Sequence, residues 1–135
     1  MGTRADFYVG RGKKAEWLGS IAWDGYPGGL PEKLLRATNL ETFRANVEKF
    51  FKERKDVTRP AQGWPWPWGD SGTTDFSYAF DRKRVFISQF GGSWYGPKAK
   101  RIPKVGTGKA EFPDMSTQKN VTLDSQRSGL IILGI

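Results

Sequence analysis

"TDFSYAFDRKRVFISQFGG", residues 74–92, is the stretch on which the fold turns. Phe76, Tyr78 and Phe80 stand at every second position, the period of a strand with one buried face. "RKR" (82–84) reverses the chain and "VFISQFGG" (85–92) returns, so the segment reads as a β-hairpin. A second hairpin is predicted over residues 6–23. "DFYVG" (6–10) is its first strand, "GRGKK" its turn and "AEWLGSIAW" (15–23) its return. In regular alternation Trp17, Gly19, Ile21 and Trp23 fall on one side, and Leu18, Ser20 and Ala22 on the other. "DGYPGG" (24–29) ends the strand with a dense turn signal.

The segment between the hairpins is helical in pattern. Pro31 opens "LPEKLLRAT" where a missing N–H is tolerated. Thr38 and Glu41 have capping-box spacing ahead of "NLETFRANVEKFFKER". Leu40, Phe43, Val47, Phe50 and Phe51 make one apolar stripe at helical spacing. Arg44–Glu48, Glu48–Lys52 and Lys49–Glu53 are i,i+4 pairs on the other faces. Beyond the second hairpin, residues 96–119 are rich in Gly, Pro and Lys and read as a long basic loop or arm. "NVTLD" (120–124) and "GLIIL" (129–133) read as closing strands. The expected architecture is α+β, a mostly antiparallel sheet of five or six strands with one helical hairpin packed on a face.

Length and composition bound the function. A chain of 135 residues is one domain by size, spanning 1–135, and 14% aromatic residues are enough to build a core. The chain has neither cysteine nor histidine. Disulfides, thiolate nucleophiles, Ser-His-Asp triads and His-ligated metals are therefore excluded. No cofactor and no metal are expected. "MGTRADFYVG" holds no apolar run of signal-peptide length, and "LIILGI" (130–135) is too short to span a bilayer. A cytoplasmic protein without a membrane partner is the expectation.

The net charge of +8 sits in one place. From Arg82 to Ala110 there are eight basic residues and no acidic one, while the other 14 Lys and Arg face 14 Asp and Glu. Such a patch attracts phosphates, acidic proteins or anionic surfaces. The candidate cations are Arg82, Arg84, Lys98, Lys100, Arg101 and Lys104.

Candidate aromatic partners flank this segment. "GWPWPW" (63–68) spaces Trp64, Trp66 and Trp68 two apart with prolines between, so an extended backbone places three indoles on one face. "FGGSWYG" (90–96) adds Trp94 and Tyr95. Aromatic faces beside Lys and Arg suit stacked bases and phosphates together. The opposing expectation is that the tryptophans close over the core, each N–H finding a partner.

Other motifs are weaker. "VGRGKKA" (9–15) matches G-x-G-x-x-A, but no βαβ unit follows. Gly10, Arg11, Gly12 and Lys13 remain a possible anion nest, against a plain hairpin turn. "VGTGKA" (105–110) lacks the first glycine and the hydroxyl residue of a phosphate loop. Asp24, Asp70 and Asp75 are the carboxylates considered for catalysis, each also an ordinary turn residue.

"ADFYVGRG", "EWLGSIAWDGYP", "GWPWPW" and "TDFSYAFD" together resemble a group of small accessory proteins of tailed bacteriophages and prophages. The resemblance carries no activity or site residues. It implies an infected bacterial cytoplasm and a partner such as a host defence component or a defence nucleotide. The expected function is non-catalytic binding of nucleic acid, a nucleotide or an acidic protein surface through a basic, aromatic-rich patch. The alternatives are an anti-defence protein docking on a host nucleoprotein effector, a nucleotide-acting enzyme using carboxylates, and a structural virion or assembly protein.

Overall fold

Two hairpins enter one sheet side by side through their first strands, and this sets the topology. The computed structural model describes residues 2–98 and 109–116. Strands β1 (Ala5–Val9) and β2 (Glu16–Ile21) form the first hairpin. Helices α1 (Glu32–Leu35) and α2 (Leu40–Lys52) follow, then β3 (Val57–Thr58), then β4 (Phe76–Asp81) and β5 (Arg84–Gln89). The sheet order is β3-β2-β1-β4-β5. The β1–β4 pair at its centre is parallel and the other three pairs are antiparallel. An α+β fold is thus established, with five strands in a mixed sheet, one main helix and one short one among the described residues. The fifth of these strands is the two-residue β3. Residues 120–124 and 129–133, and most of the predicted arm, lie outside the described residues.

Phe76, Tyr78 and Phe80 share the helix-facing side, as their spacing requires. They meet Ala5, Phe7, Ile21, Val85 and Ile87 from the sheet, and Phe43, Val47, Phe50 and Phe51 from α2. Phe7 lies at the centre, stacked on Tyr78 at 5.3 Å and edge-on to Phe51 at 5.4 Å. Each such ring contributes roughly 1.5–3 kcal/mol by burial. Leu40 at the start of the stripe is 40% exposed and outside this core.

Strand β2 departs from regular alternation. Phe7 pairs with Gly19 but Tyr8 pairs with Trp17, so Leu18 is an extra residue, a β-bulge. Leu18 and Ile21 therefore face α2, whereas Trp17 and Ser20 face the opposite side. Gly19 has φ +149°, and a Cβ there would lie 2.6 Å from Phe51 Cε2 and 2.9 Å from Thr58 O. Only glycine lets α2 and β3 come this close.

The N-terminus of α2 is one residue later than the capping-box spacing indicates. Asn39 is the cap, its side chain accepting from Thr42 N at 2.8 Å. Arg44 and Glu48 do not pair along the helix. Arg44 donates to Glu16 on β2 and Arg59 to Glu48, so both ion pairs tie α2 to other parts of the chain. Each partner carboxylate is held below its usual range by its arginine.

The other side of the sheet is covered as well. Tyr8, Trp17 and Ala79 on the strands pack against Trp64, Phe112 and Met115, with Trp66, Trp68 and Trp94 at the margin. The Trp–Pro segment and residues 109–116 are thus a second cover.

Candidate functional site

The tryptophan face is organised around a carboxylate that the sequence reading passed over. Ser20, Asp6, Ser77 and Ser88 are register partners across β2, β1, β4 and β5. They form one polar rung, and all four are buried. The next rung on this side is Trp17, Tyr8, Ala79 and Phe86. Asp6 Oδ1 accepts from Ser20 Oγ at 2.5 Å and Trp66 Nε1 at 2.7 Å, and Oδ2 accepts from Ser71 Oγ at 2.6 Å. Those partners are themselves held. Trp17 Nε1 donates to Ser20 Oγ at 3.0 Å, and the Tyr8 hydroxyl bonds Ser71 Oγ at 2.6 Å. Because the Ser71 proton points at Asp6, Tyr8 is the donor of that bond.

No Lys or Arg forms an ion pair with Asp6 among the described residues. Burial pushes its carboxyl above the ordinary carboxylate range, against the hydrogen bonds from Ser20, Ser71, Trp66 and Thr74. Burial together with the charge of Asp6 likewise pushes the Tyr8 phenol upward. Ser77 Oγ has no hydrogen-bond partner among the described residues. The cluster anchors the Trp–Pro segment to the sheet. The signal was present in "ADFYV", where a carboxylate interrupts an apolar strand.

The indoles are therefore tied inward. Trp64 is 3% exposed, edge-on to Trp17 at 5.1 Å, and its Nε1 donates to the carbonyl of Trp68 at 2.6 Å. This bends a segment whose prolines argued for extension, and it withdraws Trp64 from any surface on which a ligand stacks. Trp66 and Trp68 are half-buried and stacked on each other at 5.7 Å, and Trp68 Nε1 donates to Thr74 Oγ1. The Arg4 guanidinium lies 4.8 Å from the Trp68 ring centroid and is itself tied to Asp75. Trp94 packs on Phe112 at 5.3 Å, on the same side of the sheet. Tyr95 faces the other way, towards the helix-side core, with its backbone paired to Ile87. The five aromatic candidates do not form one accessible platform.

The glycine-rich segment of the possible nest closes the β1–β2 hairpin. Gly10 N donates to Phe80 O at 2.7 Å, so the first amide of the supposed nest closes the sheet. The Arg11 guanidinium pairs with Asp81 at 2.9 Å and covers Phe86 at 3.8 Å, while Lys13 stays exposed. The turn carboxylates also have local roles. Asp70 caps Gly72 N, Asp75 holds Arg4, and Asp24 sits exposed in a left-handed turn conformation.

Two of the predicted cations do converge. Arg84, Lys98, Arg36 and the carboxylate of Glu32 border a groove of about 530 Å³ between α1 and the β5 edge, with Leu35, Ala37, Thr38, Val85 and Pro97 completing its lining. Arg36 is paired with Glu32. Neither Arg84 nor Lys98 forms an ion pair among the described residues. The Arg84 guanidinium lies 4.9 Å from the Phe86 ring centroid and against Gly96, where a Cβ would overlap Nη2. Two backbone hydrogen bonds between Ile87 and Tyr95, at 2.7 and 2.8 Å, bring Gly96, Pro97 and Lys98 to this edge. Arg36 was absent from the expected set because only tertiary packing carries α1 to β5. Arg82 is exposed in the adjoining β4–β5 turn, and Lys100, Arg101 and Lys104 lie outside the described residues.

Among the described residues no group of His, Cys, Asp and Glu is arranged to hold a metal, and no helix is long and apolar enough to cross a membrane. No protein-family model, curated protein or solved structure matches the chain.

Proposed function

We propose that this protein is a non-catalytic binding protein, and that its partner is an anion received at the basic groove beside β5. The observation that carries the reading is that Arg84, Lys98 and Arg36 border one groove at the β5 edge, with Arg84 and Lys98 exposed and free of ion pairs among the described residues. Exposed guanidinium and ammonium groups attract phosphate or carboxylate over several ångströms, with Glu32 the one carboxylate bordering the groove among the described residues. The adjoining turn supports the same reading. Arg82 and Lys83 both adopt left-handed backbone angles, φ +51° and +67°, where Asn-Gly is the more comfortable pair. Two cations stand at the tip in spite of that strain.

The aromatic half of the expected patch has no part in this proposal, since Trp64, Trp66, Trp68 and Trp94 pack on the far side of the sheet. In the phage setting that the sequence resemblance implies, the anion belongs to a defence nucleotide, a nucleic acid or an acidic host surface. The test is calorimetric titration of the full chain with ATP, a single-stranded oligothymidylate and a polyglutamate peptide at low and physiological salt. At least one is expected to bind, with affinity falling as salt rises. For the oligonucleotide, the log–log slope should be about 0.7 per phosphate neutralised. The double variant Arg84→Ala/Lys98→Ala is expected to abolish binding. No binding by any of the three probes overturns the reading.

A further inference from the structure

We infer that the end of the sheet carrying both hairpin turns is a docking surface for double-stranded DNA, engaged through its phosphates alone. This surface shares only Arg84 with the groove beside β5 and does not rest on it.

The topology creates the surface. β1 and β4 run parallel at the centre of the sheet, so the β1–β2 and β4–β5 turns leave it at the same end. Gly10 N donates to Phe80 O at 2.7 Å and Arg11 pairs with Asp81 at 2.9 Å, which ties one turn to the other. "GRGKK" (10–14) and "DRKR" (81–84) thereby place six cations beside one carboxylate. Lys14, Arg82, Lys83 and Arg84 are exposed and form no ion pair among the described residues. Lys13 borders a depression with Asp70 and Glu111, so it adds little to the surplus. Of the neighbouring carboxylates, Glu16 is held by Arg44, and Glu41 stands in the first turn of α2. A surplus of positive charge remains at this end.

Spacing and rigidity suit a duplex. Neighbouring strands lie about 4.8 Å apart, so the centres of the two turns are about 10 Å apart. That is close to the width of the major groove, about 12 Å, and each turn meets one of the two phosphate rows bordering it. The Arg11 and Arg84 guanidiniums are already held over the Phe86 ring, 3.8 and 4.9 Å from its centroid. Less rotamer freedom is lost when they meet a phosphate.

Other polyanions fit less well. Single-strand binders stack bases on exposed aromatic faces, whereas Phe86 between the turns already carries two guanidiniums. The tips carry no apolar side chain for a protein interface or a lipid surface to bury.

The test is fluorescence anisotropy of a short labelled DNA duplex titrated with the full chain. Oligothymidylate, polyglutamate and phosphatidylserine vesicles are compared at low salt. The duplex is expected to bind most tightly, with a log–log salt slope of roughly 3 to 4 for about four phosphates neutralised. Between about 50 and 200 mM salt this is a loss of about a hundredfold. Lys14→Ala should lower the slope by about 1, and Arg82→Asn/Lys83→Gly by about 2. The second variant replaces two left-handed residues by the pair that such a turn accommodates, so its loss of binding is not a loss of fold.

Tighter binding of oligothymidylate, polyglutamate or vesicles than of the duplex overturns the assignment of the partner. Duplex binding whose affinity and slope are unchanged in both turn variants overturns the placement at this end of the sheet. No duplex binding at low salt overturns the inference outright. If ATP or polyglutamate still binds and is lost in Lys98→Ala, the reading of the groove stands without it.

Discussion

Replacing Asp6 tests how the second face of the sheet is held. Asp6→Ala leaves Trp66 Nε1 without an acceptor, and an indole N–H has no alternative geometry. Ser20 and Ser71 also lose the acceptor for their protons while still accepting from Trp17 and Tyr8. With about 1–3 kcal/mol for each buried donor left unpaired, and some relief from hydroxyl rotation, the expected loss is about 3 kcal/mol. That is a large part of the 5–15 kcal/mol typical of a domain. Asp6→Asn keeps the shape and the Oδ1 acceptor but removes the ionisation, so it isolates the charge.

The pH dependence has a definite sign. The folded carboxyl holds its proton to higher pH than the unfolded one, because burial raises its pKa. Below the unfolded value of about 3.9 both states are protonated and burial costs nothing through charge. As pH rises from there to the raised folded value, stability falls by up to about 1.4 kcal/mol per pH unit, and then levels off. Asp6→Asn lacks this slope, while every other titrating group is common to both proteins. Urea unfolding followed by tryptophan fluorescence from pH 4 to 8 measures the difference. Wild type should lose stability relative to Asp6→Asn as pH rises. A difference that is flat or grows in favour of wild type refutes the reasoning, as does an Asp6→Ala cost below about 1 kcal/mol.

Three further outcomes follow from other parts of the molecule. Arg82→Asn/Lys83→Gly should relieve left-handed strain and stabilise the β4–β5 turn by about 1–2 kcal/mol in thermal unfolding, while weakening anion binding at low salt. Gly19→Ala combines a disfavoured φ with contact against Phe51 and Thr58 O, and should lower stability by about 2–3 kcal/mol in denaturant titration. Asp56 accepts from Ala22 N, Trp23 N and Arg54. Although burial opposes its ionisation, Arg54 and these amides hold its carboxyl below the ordinary value. Its contribution to stability is therefore present above the unfolded pKa of about 3.9 and disappears as pH falls through the lower folded value. Asp56→Asn should accordingly flatten the acid limb of the unfolding curve.

Periodicity alone located both hairpins and α2, because strand and helix patterns are local and repeat every 2 or 3.6 residues. The helix-side core follows directly from Phe76, Tyr78, Phe80 and the α2 stripe. Alternation misplaced Trp17 and Ser20, since one extra residue at Leu18 moves every later side chain to the other face. The convergence of Arg84 with Lys98 was partly legible in the acid-free stretch. The contribution of Arg36 was not, because α1 reaches β5 only through the folded chain. Composition determined that this protein works without histidine or cysteine and carries its excess charge in one segment. Tertiary structure alone decided that Trp17 and Trp66 tie to a buried carboxylate cluster on one side of the sheet, while Arg84 and Lys98, without ion pairs among the described residues, stand at an edge. An N–H or a carboxylate shows its need for a partner in sequence, but which partner meets it is fixed by the register of strands far apart in the chain.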